Sequence, residues 1–268
     1  MTSLNSEGKR RAILRWFGVT SLGAVALGTQ QAAYPQSQRL HARDGEVVGV
    51  DSLSVLLQRL ASIRRRRDFK TVPFMLTERT QWDYEAASEL LAYRYPVRQV
   101  WESTDFSGPW LNLMRESMNG QIFAHGHEDF IAVSATHGSA HLALFNQEMW
   151  DKYSLATLAK QASPANRLII EAASVSSGDD RQNVDGYYGP GNNNITSLQR
   201  RGAVFIACHD SIHAVARSVQ TATAADMFVD GIAADLTNNL IPGAILVPSA
   251  VAFIAELQRR GYSYAKAS

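Results

Sequence analysis

Hydrophobic positions change their spacing along this chain, and the change divides it. In Ser52-Leu53-Ser54-Val55-Leu56-Leu57-Gln58-Arg59-Leu60 they recur at helical intervals, which predicts a helix at about 51–66. Asp51 or Ser52 would cap it, and Arg64-Arg65-Arg66-Arg67 would form a solvated C-terminal end, where positive charge complements the helix dipole. Trp82 to Tyr93 predicts a second helix, through Tyr84, Ala87, Leu90 and Leu91. After Tyr95-Pro96 the pattern becomes short apolar runs, each followed by helical periodicity. Strands are expected at Val97–Trp101, Phe130–Ser134, Ala203–Ala207 and Ala244–Pro248, with helices at Trp110–Asn119, Ala140–Phe145, Ile212–Val219 and Ala250–Arg260 and a closing run at Tyr262–Ala265. Continuous apolar strands alternating with helices indicate an α/β fold. The expectation is an open, doubly wound, mostly parallel sheet over 96–268, preceded by a helical extension at 34–95.

Residues 174–198 interrupt this alternation. They are dense in Gly, Asn and Asp and lack periodicity, so a long loop is expected. Tyr187-Tyr188-Gly189-Pro190-Gly191 would either hold aromatic side chains over a site or belong to a solvated insertion.

The first residues read as an address. Lys9-Arg10-Arg11-Ala12-Ile13-Leu14-Arg15 precedes an uncharged apolar stretch from Trp16 to Gly28 of about 13 residues, shorter than the ~20 needed to span a membrane. The paired arginines resemble the twin-arginine export motif, with Ile13 in place of the usual Phe and Arg15 in place of Lys. Cleavage near Ala26-Leu27-Gly28 or Ala32-Ala33 would remove residues 1–33 as a signal peptide, leaving a periplasmic or secreted protein with no stable membrane anchor. That route carries proteins already folded, often around a cofactor.

Composition narrows the classes. With 46% hydrophobic and 19% charged residues, the 268-residue chain can bury a core, and no block recurs at a repeat period. A net charge of +1 gives no electrostatic reason to expect nucleic acid as partner, and removal of residues 1–33 leaves 22 basic against 24 acidic side chains. Cys208 is the sole cysteine, so no intrachain disulfide forms.

The chemistry gathers where strands end, since open α/β sheets bind ligands beyond their carboxyl edges. The second strand leads into Thr136-His137-Gly138-Ser139-Ala140-His141, and the third into Cys208-His209-Asp210-Ser211-Ile212-His213. Each holds a His-x-x-x-His pair, whose spacing stacks two imidazoles on one helix face. His137, His141, Cys208, His209 and His213 therefore form a candidate metal set, with zinc or copper the ion that imidazole and one thiolate suit. His125-Gly126-His127-Glu128-Asp129 adds histidines just before the second strand. Cys208 is also read alone, as a thiolate favoured by helix amides and His209, or as a small buried hydrophobe. Asp210 and Ser211 read as helix caps. No G-x-S-x-G elbow and no G-x-G-x-x-G turn is present.

The stretch Gly202-Ala-Val-Phe-Ile-Ala-Cys208, then Leu240-Ile-Pro-Gly-Ala-Ile-Leu-Val-Pro-Ser-Ala-Val-Ala252 and Leu257-Gln-Arg-Arg-Gly-Tyr262, resembles the C-terminal half of DsrE-like (DsrE/DsrF family) proteins, and His137-Gly138 matches a His-Gly found in them. The resemblance covers about 96–268. It implies a five-stranded, mostly parallel sheet, assembly into trimers or hexamers, and a cysteine carrying persulfide sulfur at the position of Cys208. The export signal, the 174–198 insertion, and His209 and His213 in place of small or polar residues depart from the pattern. The leading expectation is an exported sulfur carrier or sulfurtransferase-like protein using Cys208, His209 and His137, with a small sulfur compound or a relay protein as partner. A periplasmic metal protein using the His/Cys set and a non-catalytic interaction module are the alternatives.

Overall fold

The computed structural model describes residues 48–172, 174–223 and 228–267. The expected signal peptide lies outside them. Five strands form one sheet: β1 (Arg98–Ser103), β2 (Ile131–Thr136), β3 (Val204–Cys208), β4 (Ile245–Val247) and β5 (Ser263–Ala267). Their order is β4-β3-β2-β1-β5, and every pairing is parallel. The chain thus builds outward from β1 to β4 and then crosses back to the far side of β1. The helices are α1 (Leu53–Ser62), α2 (Tyr84–Ala92), α3 (Trp110–Asn119), α4 (Gln147–Lys152), α5 (Leu155–Leu158), α6 (Ile195–Arg200), α7 (His209–Thr223), α8 (Val229–Asn238) and α9 (Ala250–Arg259). Among the described residues no helix is long and apolar enough to cross a membrane.

Alternation along the strands separates two apolar layers. Val100, Val133, Ala135, Ile206, Cys208 and Val247 pack with α1, α2 and α9. Trp101, Ala132, Phe205, Ala207 and Leu246 pack with α3, α7 and α8 on the opposite face. Both faces are covered, so β2 and β3 are buried throughout, as their continuous apolar runs require. The described part of the N-terminal extension supplies α1 and α2, which belong to this core: Leu56, Leu60, Ala87 and Leu90 are buried against the sheet layer.

Several local expectations change. Helix α1 ends at Ser62 rather than 66, and Ser52 makes no side-chain cap. The Leu53 N–H instead donates to Asp129 Oδ1 at 2.6 Å, a cap delivered from the approach to β2. The arginine run is not merely a solvated end. Arg65 donates to the carbonyls of Leu60 and Ile63, and Arg67 grips both carboxylate oxygens of buried Asp83 at 3.0 and 2.7 Å. The segment after β2 is a 3-10 turn, Gly138–Leu144, entered through Gly138 at φ 58°.

Candidate functional site

Cys208 closes β3, and its register fixes its neighbours. Cys208 pairs with Val247, and Thr136 pairs with Ala207 one step earlier. Cys208 lies on the face shared by Ala135 and Ile206, and His137 follows directly on the last residue of β2, the strand next to β3. The His137 N–H donates to the Ser103 carbonyl at 3.0 Å, so the ladder to β1 reaches this residue. Cys208 is buried, and its Sγ accepts the Ala250 N–H at 3.3 Å. Ala250 opens α9, which Ser249 caps through its Oγ, so the sulfur meets the end of a 10-residue helix where negative charge is stabilised.

His137 is held from its other side. Its Nε2 lies 3.0 Å from Glu102 Oε1, and the second carboxylate oxygen of Glu102 accepts the Tyr264 hydroxyl from β5. The Tyr264 hydrogen bond, with a smaller contribution from His137, holds the Glu102 carboxyl below its usual range against the opposing effect of desolvation. A carboxylate only accepts hydrogen bonds, so the neutral imidazole carries its proton on Nε2 and keeps its lone pair on Nδ1. The hydrogen-bonded array His137, Glu102, Tyr264 runs from the end of β2 across β1 to β5.

The other three imidazoles of the expected metal set belong to elements that pack on the opposite layer. His209 opens α7 and is buried; its Nε2 donates to the Pro73 carbonyl at 2.8 Å, and its Nδ1 has no partner. His213 follows one turn later, with ring centroids 4.7 Å apart, an unpartnered Nε2 and the Phe74 ring edge-on at 5.6 Å. His141, in the 3-10 turn, is wholly buried beside Phe145, and neither of its ring nitrogens has a partner. Burial pushes its pKa down to about 3, with the His137 and His209 rings adding to the effect. Burial takes His209 down to about 4 against the Pro73 hydrogen bond, and lowers His213 as well.

The five residues expected to form one metal set do not come together: Cys208 packs in the layer of α1, α2 and α9, whereas His209 and His213 lie on α7, which covers the opposite face, and His141 lies against Phe145 of that same layer. Among the described residues no three His, Cys, Asp or Glu side chains form a group that could hold a metal ion as they stand. His209, expected to assist the thiol, bonds the Pro73 carbonyl through Nε2 and has no partner at Nδ1. His125 and His127 stack on each other at 6.2 Å before β2, at the other end of that strand from His137.

The 174–198 segment packs away from Cys208. Its last residues begin α6, and Tyr187 is buried with its ring beneath the Arg200 guanidinium at 4.9 Å. The Tyr188 carbonyl accepts from Arg115 and Asn119 on α3, and its ring lies 5.2 Å from the Arg201 guanidinium, near the amino end of β3. Glu102 and Tyr264 escaped the sequence reading. Their only signal was a polar residue just past the expected end of the first strand and a tyrosine in the closing run. Comparison with family models, curated proteins and solved structures gives no match.

Proposed function

We propose that this chain is an exported, DsrE-like thiol protein that takes sulfur onto Cys208 and passes it to a small acceptor or a relay protein. One observation carries the reading: the buried Cys208 Sγ receives the first amide of α9, and the Glu102-anchored His137, which follows the adjacent strand β2, is taken as its base. His137 Nδ1 takes the thiol proton in this scheme, leaving a thiolate at the helix end. With thiosulfate as donor, the thiolate attacks the sulfane sulfur. A new S–S bond forms on Cys208, the donor's S–S bond breaks, and sulfite departs with that electron pair, leaving a persulfide anion. The base role is given to His137 because its Nε2 is held by Glu102, which leaves Nδ1 to take the proton.

The test is intact mass under non-reducing conditions after incubating the exported protein with thiosulfate or polysulfide. A gain of about 32 Da per sulfur atom is expected, reversed by dithiothreitol and absent from Cys208→Ser. No gain, together with a native thiol inert to alkylating reagents, would overturn the reading in favour of an interaction module. Sedimentation of the same sample tests the trimer or hexamer that the resemblance implies.

A further inference from the structure

Four ring nitrogens stand without partners in the layer opposite Cys208: His141 Nδ1 and Nε2, His209 Nδ1 and His213 Nε2. Buried polar atoms are almost always satisfied, so a group of orphans on adjacent rings marks something the protein alone does not supply. The tautomer of His209 sharpens the point. Its Nε2–H is committed to the Pro73 carbonyl, so the bare Nδ1 is a lone pair aimed into the interior. A ring fixed by a backbone carbonyl at one nitrogen and open at the other is the arrangement that metal-ligating histidines adopt.

We propose that His209 and His213, joined by His141, form a binding site for a divalent transition-metal ion of the zinc or copper class, separate from the thiol of Cys208. His209 and His213 are four residues apart on α7 with centroids 4.7 Å apart, spacing that lets two imidazoles reach one ion. The three rings do not yet meet at one point. The α7 pair is the part in place, and His141, neither of whose ring nitrogens is satisfied, would turn in as the third donor. Borderline ions suit imidazole nitrogen. This inference is independent of the sulfur reading, since Cys208 faces the other layer.

The test uses untagged, metal-stripped full-length protein carrying His125→Gln and His127→Gln, which removes the exposed pair before β2. Zinc is titrated against a chromophoric chelator, and copper(II) binding is read by electron paramagnetic resonance. One equivalent with nitrogen hyperfine structure is expected. Affinity should fall at least about tenfold in His209→Gln, whose amide can still donate to Pro73, and in His213→Gln, and should be unchanged in Cys208→Ser. No binding above that of the His209→Gln/His213→Gln double variant would overturn the proposal and leave buried water as the partner of these nitrogens. Loss of binding in Cys208→Ser would also overturn it, by moving the ion to the thiol face.

Discussion

His137 Nε2 lies 3.0 Å from Glu102 Oε1, and this contact decides which ring nitrogen is left to act as a base. With Nε2 protonated against the carboxylate, Nδ1 is the basic atom. His137→Ala should slow alkylation of Cys208 at pH 7 by about a hundredfold, the lower end of what a positioned base contributes. Glu102→Gln keeps a hydrogen-bonding group but not the charge, and should slow it by about tenfold. Rates measured with iodoacetamide by mass spectrometry decide the matter, and unchanged rates in both variants would remove His137 from the thiol's chemistry.

The pair Arg67–Asp83 concerns stability rather than chemistry. Asp83 accepts both guanidinium bonds and also the Leu246 N–H at 2.7 Å, so it ties the loop after α1 to the start of α2 and to β4. Asp83→Ala would strand a mostly buried guanidinium and a buried strand amide together. Breaking a buried pair from one side costs about 3–5 kcal/mol. Urea unfolding of the variant should show a loss of that size, and a loss near zero would mean that water replaces the carboxylate.

The fold was legible because its signals are local. Phe130–Ser134 and Ala203–Ala207 are continuous apolar runs that only a sheet covered on both faces accommodates, and they sit in β2 and β3 within a residue or two. Helix α8 is weakly signalled although Ile232, Ala233 and Leu236 have helical spacing, because Gly231 and the polar residues around it blur the face. At the site, Cys208 and His137 were visible as strand ends. Cys208 and His209 are neighbours in sequence but part company where β3 ends and α7 begins, because Cys208 points into the layer of α1, α2 and α9 while α7 covers the opposite face. Glu102 and Tyr264 join the array only because β5 returns to pair beside β1, a long-range crossover that no local pattern encodes.

Acid should unfold this protein through its histidines before its carboxylates matter. His141 and His209 have pKa values of about 3 and about 4, below the unfolded value of about 6.5. The unfolded chain then binds protons first as pH falls, so their contribution is intact above about pH 6.5 and drains away toward pH 3–4. Each contributes a slope of up to about 1 kcal/mol per pH unit in that window. The lowered carboxyl of Glu102 adds its own loss only below about 4.5. In metal-free protein, His141→Leu should flatten the unfolding free energy between pH 6 and 4 by one proton's worth and raise stability at pH 7, since two orphaned nitrogens disappear. An unaltered slope would show that His141 finds a partner in solution.

Two residues compete in principle to cap α1, and the structure gives the role to the distant one. Ser52 occupies the N-cap position without bonding the helix, whereas Asp129 Oδ1 takes the Leu53 amide and the Asp129 carbonyl takes the Tyr93 hydroxyl. Asp129→Ala should cost about 1 kcal/mol, as loss of a cap does, while Ser52→Ala costs close to nothing. Chemical denaturation of both variants discriminates; equal losses would return the cap to Ser52.

Gly138 lies between the two clusters, at the point where β2 ends and the 3-10 turn begins. Its φ of 58° is left-handed, and a Cβ there would stand 2.6 Å from the Thr104 carbonyl oxygen. That carbonyl is not free to retreat, because it accepts the Ala140 N–H at 3.2 Å and the Ser139 hydroxyl at 3.4 Å. Gly138→Ala therefore pays the left-handed penalty of about 1–2 kcal/mol and must also displace either the turn or β1's end. Displacing the turn moves His137 and His141 at once. Alkylation of Cys208 and metal affinity should then fall together in Gly138→Ala, whereas His137→Ala lowers the first alone and His213→Gln the second alone. If Gly138→Ala altered only one of the two, the turn would not be the common support of both clusters, and His137 and His141 would owe their positions to separate contacts.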